Sequence, residues 1–171
     1  MLIEEFNALP EAEAAAALRA CVAIEGWVSA LAGGRPHASA ESLLAAARAQ
    51  VARWTPADVE GALADHPRIG ERPAGTGTTA AHSRREQQGV DPADADLATR
   101  LAAGNAAYEQ RFGRIYLVRA KGRDGHELLA LLDQRLGNDP ATELEVTRQQ
   151  LGEIALLRLA DLVDADAEVL R

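Results

Sequence analysis

Apolar residues recur through most of this chain at the spacing of α-helices, in stretches separated by proline, glycine and capping residues. The clearest stretch follows Ser39, a residue type that commonly caps a helix N-terminus. From Leu43 to Val51 its apolar residues fall on one side of a helix that is predicted to run to about Arg53. The same signals recur along the rest of the chain.

The remaining helices are placed by these boundary signals. Helical stretches are predicted from Pro10, with a break near Cys21 and a resumption through Trp27 to Leu31, and from Thr55-Pro56, ending by Asp65. A short helix is predicted after a loop at residues 72–79, ending at Gly89. Three more are predicted from Asp91-Pro92 to about Phe112, from about Glu127 to Leu136, and from Asp139-Pro140 towards Val163. Ile115 to Val118 is a β-like run that is too short to form a sheet. Roughly eight helices without a linker predict an all-α, single-domain helical bundle over residues 1–171.

The composition agrees with a helical protein and limits its function. Apolar residues make up 47% of the chain and aromatic residues only 4%, while the abundant alanine, leucine, glutamate and arginine enter helices easily. A net charge of -8 disfavours nucleic-acid partners, and no apolar run has the length of a membrane span.

Cys21 lies in an apolar stretch and is expected to be a buried thiol. Because the N-terminus does not read as a secretory signal, a cytoplasmic location is predicted.

The segment from His66 to Glu71 contains the first candidate for chemistry. A lone histidine in a helical protein is more often structural than catalytic. Here, however, His66 is predicted to end a helix beside Pro67, and the proline restricts the backbone that directs the imidazole. An unperturbed imidazole titrates at about pH 6.5, which suits proton transfer at neutral pH. We therefore interpret His66 as a candidate acid or base, and the other three histidines as surface residues.

A second candidate group follows the Gly/Thr-rich loop. Ser83, Glu86 and Gln87 have i, i+3 and i+4 spacing, so they share one face of the predicted short helix. A hydroxyl, a carboxylate and a carboxamide together could bind a ligand with urea-like N–H and C=O groups. Any one of these residues alone would be interpreted as part of a solvated face, whereas the three together beside the loop favour a site.

Arg158 is the third candidate. At about 100° per residue, it falls inside the apolar stripe of the last helix, between the directions of Leu151 and Ile154. A guanidinium does not lose its charge, so it needs an anionic partner or a path to water. A buried ion pair with a core acid and a two-point clamp on a substrate carboxylate both meet that need. The pattern does not decide between them.

The sequence pattern favours neither metal nor organic cofactors. His, Cys, Asp and Glu residues do not occur at metal-ligand spacings. Residues 75–79, Gly-Thr-Gly-Thr-Thr, have neither the preceding strand nor the following lysine of a phosphate-binding loop. We therefore predict that any chemistry here proceeds without a cofactor or metal.

These motifs resemble the family of 2-oxo-4-hydroxy-4-carboxy-5-ureidoimidazoline (OHCU) decarboxylases, which complete the conversion of urate to (S)-allantoin. The resemblance covers nearly the whole chain. It rests on Trp27, Arg35-Pro36, His66-Pro67-Arg68-Ile69-Gly70, Ser83, Glu86-Gln87, Gly89, Asn105, Tyr108, Arg111-Phe112-Gly113, Leu132, Arg135-Leu136, Asn138, Glu153-Ile154 and Arg158-Leu159.

The resemblance implies a carboxy-lyase with an all-α fold, a small-molecule substrate, no cofactor and a homodimeric state. By resemblance, the catalytic residues are His66, Glu86 and Arg158, and the residues around the substrate are Pro67, Ser83, Gln87 and the backbone near Leu117 and Val118. The implied reaction is the decarboxylation of OHCU to (S)-allantoin in purine catabolism.

One position departs from the family pattern. After Gly113 the family usually has a large apolar residue, but this chain has Arg114, followed by Tyr116 where phenylalanine is common. The change could alter the pocket wall or only the surface. Two alternatives stay open: a non-catalytic, dimeric helical interaction module, and a related ureide lyase with a different substrate, for which Arg114 is the only hint.

Overall fold

The computed structural model describes residues 1–64, 66–71, 81–82, 85–89, 91 and 93–164. Within these ranges the chain forms eight α-helices with defined bounds and no β-strand. The helices are α1 Ile3–Ala8, α2 Glu11–Cys21, α3 Glu25–Gly33, α4 Ala40–Val51, α5 Pro56–Leu63, α6 Ala95–Phe112, α7 Gly125–Arg135 and α8 Pro140–Leu162. None of these helices is both long enough and apolar enough to cross a membrane. The predicted all-α class is confirmed.

Side-chain caps determine where several helices begin. The Ser39 hydroxyl accepts a hydrogen bond from the Ser42 amide at 3.1 Å, in agreement with the cap predicted for α4. Asp94 caps α6 by accepting from the Leu97 amide at 2.9 Å, and Asp124 caps α7 in the same manner. Each cap satisfies an amide that the first helical turn leaves without an intrahelical acceptor.

Two helix starts differ from the prediction, and one helix was not predicted. The short helix α1 buries Phe6, but six residues give too few apolar repeats to be recognised. Helix α6 begins at Ala95 rather than after Asp91, because Asp94 supplies the cap. Helix α7 begins slightly earlier than predicted, at Gly125.

The described residues cluster into two compact units. The first contains Met1–Ala62 and the C-terminal residues from Gly152, and the second contains Leu63–Leu151. In the first unit the buried indole of Trp27 donates to the carbonyl of Ala47 at 3.2 Å and so joins α3 to α4. A single domain over residues 1–171 stays a prediction.

The second unit has an aromatic core with buried charged residues beside it. The ring of Tyr108 packs against Phe112 and Tyr116, with centroids 4.7 and 5.3 Å away. Next to these rings, Arg135 and Glu143 form a buried ion pair with 2.5 Å between Nη2 and Oε1. The core therefore combines apolar packing with one polar network.

Candidate active site

His66 and Pro67 lie directly after α5, in a loop of residues 66–71 that we call the His66 loop. The His66 amide donates to the carbonyl of Leu63 at 3.0 Å and so continues the last turn of α5. Both side chains are half-buried. Further along the loop, Gly70 has a φ of +86°, a conformation that favours glycine. The candidate imidazole thus extends from a turn with a defined backbone.

Glu86 and Gln87 lie in residues 85–89, which we call the Glu86 segment. Their side chains are half-buried. Gln87 brings this segment against the His66 loop: its Oε1 accepts from the amide of Gly70 at 3.0 Å, and its Nε2 donates to the carbonyl of Arg68 at 3.3 Å. The two motifs singled out in the sequence are therefore neighbours in space.

Gly89 packs the end of the Glu86 segment against a second backbone. A Cβ built at Gly89 would lie 2.1 Å from the carbonyl oxygen of Arg123, so the approach requires glycine. Ser83, which the sequence places on the same face as Glu86, lies outside the described residues. Contacts at Gln87 and Gly89 together fix the backbone that carries Glu86.

Gln87 has a structural role that its sequence position did not reveal. Both polar atoms of its carboxamide bond to backbone groups of the His66 loop. A carboxamide has a second N–H and a second lone pair on its oxygen. A direct contact between Gln87 and a substrate, which stays a prediction, would use these remaining positions.

Two residues of α6 contact the same loop. Asn105 is buried and donates from Nδ2 to the Ile69 carbonyl at 3.0 Å. Glu109 binds the Arg68 guanidinium at two points, Oε1 with Nε and Oε2 with Nη2, the latter at 2.9 Å. The hydrogen bond from Arg68 lowers the pKa of Glu109. A cleft of about 260 Å³ is lined by the loop, from Arg68 to Glu71, and by this face of α6.

Arg158 lies on α8, in the first compact unit, and is 3% exposed. It is buried, as its place in the apolar stripe predicted. Its Nη1 donates to the carbonyl of Cys21 at 3.3 Å. Burial raises the pKa of the Cys21 thiol to about 12, with smaller opposing effects from Arg158, which lowers it, and Asp161, which raises it. The buried thiol is confirmed, and the substrate clamp stays a prediction.

Leu117 and Val118, expected near the substrate through their backbone, are buried in a segment without regular secondary structure. The carbonyl of Leu117 accepts from Arg135 Nη1 at 2.7 Å, so the buried arginine holds this backbone. Arg114 donates from Nε to the carbonyl of Phe112 at 3.3 Å and thereby covers the end of α6. The placement of Leu117 and Val118 at a pocket stays a prediction.

The contributions of Asn105 and Glu109 to the site were not predicted from the sequence. Their i, i+4 spacing shows that they share a face of α6. However, the sequence does not reveal that this face meets a loop more than thirty residues earlier, with separations of 36 residues for Asn105 and 41 for Glu109. In the described part of the chain, no group of three or more His, Cys, Asp or Glu residues could hold a metal ion.

The chain matches a known protein family and several of its named members. Residues 7–160 match the OHCU decarboxylase family. The chain is 34% identical over 136 residues to the 2-oxo-4-hydroxy-4-carboxy-5-ureidoimidazoline decarboxylase of Amia calva, covering 78% of each chain. It is 35% identical over 114 residues to the protein of the same name from Mus musculus, covering 66% of this chain and 64% of that one.

A solved structure supports the same fold. The crystal structure of OHCU decarboxylase in the presence of (S)-allantoin matches with a TM-score of 0.72 and 24% identity, covering 85% of this chain and 96% of that chain. At this identity the likeness shows the fold alone. Because the family match extends over residues 7–160, this chain belongs to the OHCU decarboxylase family.

Proposed function

We propose that this protein catalyses the decarboxylation of OHCU to (S)-allantoin, a carboxy-lyase step of urate degradation. The observation that carries this function is the contact through Gln87, which joins the Glu86 segment to the His66 loop in a chain of the decarboxylase family. An imidazole and a carboxylate on neighbouring segments are a suitable pair for moving protons at one substrate.

The substrate can accept the electrons that its own cleavage releases. Its carboxylate is attached next to a ring C=N bond, so the electron pair of the breaking C–C bond moves onto the ring nitrogen as CO2 leaves. The ring nitrogen takes up a proton. The enol-like intermediate then gains a second proton on the carbon that bears the ureido group, while its hydroxyl loses a proton and becomes a carbonyl. In the net reaction a proton replaces CO2. We also propose that the reaction needs no cofactor.

The three candidate residues have complementary roles in this reaction. Arg158 binds the substrate carboxylate, with a grip weak enough to let charge move off that group in the transition state. His66 contacts the hydroxyl or the carboxylate and manages its proton. Glu86, assisted by Gln87, binds ring or ureido N–H groups. Delivery of a proton to a single face of the intermediate gives the S configuration.

The activity is tested with substrate generated in place, because OHCU is labile. Urate oxidase and hydroxyisourate hydrolase produce it from urate, and circular dichroism follows the appearance of optically active allantoin. Addition of the protein should accelerate that signal and yield the S enantiomer. An unchanged rate with racemic product would refute the function and favour a non-catalytic helical module.

Point variants test the assignment of residues. His66→Asn and Glu86→Gln should each lower the rate by about 10²–10⁴-fold, the usual contribution of a positioned acid or base. Matched controls are His126→Asn and Glu60→Gln, which change exposed residues on α7 and α5. Full activity in either site variant, with helicity intact, would exclude that residue from catalysis.

The proposed function also includes a homodimer in the cytoplasm. Gel filtration with light scattering measures the mass directly, and a mass equal to one chain would contradict the dimer. Fractionation of the source cells tests the location.

A further inference from the structure

The His66 loop is bonded to other elements at three consecutive residues. The carbonyl of Arg68 and the amide of Gly70 bond to Gln87, and the carbonyl of Ile69 accepts from Asn105. The amide of Glu71 also donates to the Arg68 carbonyl at 3.2 Å, which closes the turn. Backbone freedom immediately after Pro67 is therefore strongly restricted.

Two residues of α6 also hold the His66 loop. Glu109 grips the Arg68 guanidinium at two points, and such planar two-point pairing defines orientation as well as distance. The pair is only partly exposed, with 42% of the Arg68 side chain and 29% of the Glu109 side chain accessible. One turn earlier, Asn105 is 4% exposed and its Nδ2 is committed to Ile69. We call these two contacts the α6 anchor.

Acid/base catalysis requires that the catalytic group be held in a defined position, and the α6 anchor can provide this for His66. A catalytic group must lie within hydrogen-bonding reach of the proton that it transfers. Misplacement by about 1 Å can cost about 10²-fold in rate, even when the change is remote from the chemistry. Arg68 is two residues from His66, so a change in its anchoring is transmitted through Pro67 to the backbone that directs the imidazole.

We propose that Glu109 and Asn105 are positioning residues for His66, acting through Arg68 and Ile69 to hold the His66 loop on α6. This inference rests on the proposed function of His66 in decarboxylation. It adds that α6 sets the direction of the imidazole.

Glu109→Gln is the informative change, because it keeps the shape of the side chain but removes the charge of the ion pair. The turnover number should fall by about tenfold to a hundredfold, while KM and the thermal midpoint change little. The reversed pair, Arg68→Glu with Glu109→Arg, should recover part of the turnover lost in Arg68→Glu alone. In the His66→Asn background, Glu109→Gln should cause no further loss, since the anchor acts through His66.

Asp96→Asn is the matched control. It removes a carboxylate from the same helix, where Asp96 pairs with Arg100 at 4.0 Å on an exposed surface. Its turnover should equal that of the unmodified protein. If Glu109→Gln retains full turnover, or if its loss persists unchanged in the His66→Asn background, the positioning role is wrong.

A spectroscopic measurement separates this inference from the proposed function. The chain has four histidines, so the imidazole Cε1–H signal of His66 can be assigned by its loss in His66→Asn. That signal should shift or broaden in Glu109→Gln and stay unchanged in Asp96→Asn, whether or not the protein turns over OHCU. An unaltered His66 signal in Glu109→Gln would overturn the positioning role, whereas an inactive unmodified protein with a shifted signal would refute only the decarboxylase function.

Discussion

Glu143→Gln should be among the strongly destabilising polar substitutions in this fold. Glu143 is fully buried and accepts hydrogen bonds from three side chains: Tyr108 Oη at 2.5 Å, Arg135 Nε at 2.8 Å and Asn138 Nδ2 at 2.7 Å. Glutamine has nearly the same shape but no charge. The substitution therefore leaves the buried guanidinium of Arg135 without its carboxylate partner.

The magnitude follows from the environment of Arg135. Its other hydrogen bonds go to neutral oxygens, including the Leu117 carbonyl and the Thr147 hydroxyl. Removing one partner of a buried ion pair costs about 3–5 kcal/mol, against a total stability of about 5–15 kcal/mol for a typical domain. Replacing both charges, in Arg135→Met with Glu143→Leu, should cost less than Glu143→Gln, because no unpaired charge remains buried.

Glu145→Gln provides the control, since it makes the same change two residues further along α8. Glu145 pairs with Arg148 at 2.6 Å on the surface, and loss of an exposed pair costs about 0–1 kcal/mol. Urea unfolding followed by circular dichroism gives both free energies, provided that the slope m is unchanged. Trp27 and Trp54, the two tryptophans of the chain, both lie in the first unit, so their fluorescence shows whether that unit unfolds in the same transition.

A difference of less than about 1 kcal/mol between the unfolding free energies of Glu143→Gln and Glu145→Gln would contradict the cost of an unpaired buried charge, since about 1 kcal/mol is the upper range for loss of an exposed pair. If Glu143→Gln does not fold at all, the doubly substituted protein still decides the question. It should fold and unfold cooperatively. A double variant that is as unstable as the single one would show that the cost comes from lost packing and not from an unpaired charge.

Three further predictions concern packing and buried ionisable groups. Gly152→Ala should destabilise by about 1–3 kcal/mol, because a Cβ there would lie 2.6 Å from Cγ1 of Val51; Val51→Ala should relieve part of the loss. Cys21 should resist alkylation at about pH 8, since the rise of its pKa from 9.0 to about 12 lowers the thiolate fraction about a thousandfold. Tyr108 and Tyr116 should stay protonated above pH 10.0, the ordinary tyrosine pKa, because burial raises the pKa of both. Their contribution to stability is present below that pH and is lost as pH rises through the folded-state pKa values.

Each of these has a direct control. Gly61→Ala on α5 meets no atom within 4 Å and should raise the thermal midpoint, since alanine favours a helix by up to about 1 kcal/mol over glycine; a Gly152→Ala midpoint at or above that of Gly61→Ala would contradict the clash. Mass spectrometry compares labelling of Cys21 with and without denaturant, and equal rates would contradict burial. Absorbance at 295 nm follows the tyrosines, and ionisation centred on pH 10 in the folded protein would contradict the raised pKa values.

The sequence predicted those parts of the fold whose signals are local. Ser39 and Asp139 lie at the starts of α4 and α8 and bond to amides three residues later, so each cap is encoded within one turn. Burial of Arg158 was also predictable, because a long helix repeats its apolar stripe several times. In contrast, α1 is too short to show a period.

For most of the candidate site, the sequence predicted which residues take part but not which groups they contact. The sequence identified Gln87 as a polar residue beside a loop, and a ligand contact was a reasonable interpretation. The structure shows its carboxamide bonded to a backbone 17 and 19 residues earlier. Likewise, the pairing of Arg68 with Glu109 spans 41 residues. Neither partner can be chosen from one sequence, because many other polar residues would satisfy the same bonds.

The contacts that hold the His66 loop indicate that its conformation matters for function. A loop that only connects α5 to later elements needs its backbone groups satisfied, and water would serve for most of them. Here Gln87, Asn105 and Glu109 come from two separate parts of the chain to hold residues 68–70. Fixing each backbone residue costs about 1–2 kcal/mol of conformational entropy, and the net gain of about 0.5–1.5 kcal/mol from each hydrogen bond does little more than offset that cost. The ordering is explained if the direction of the His66 side chain, two residues away, must be constant during catalysis.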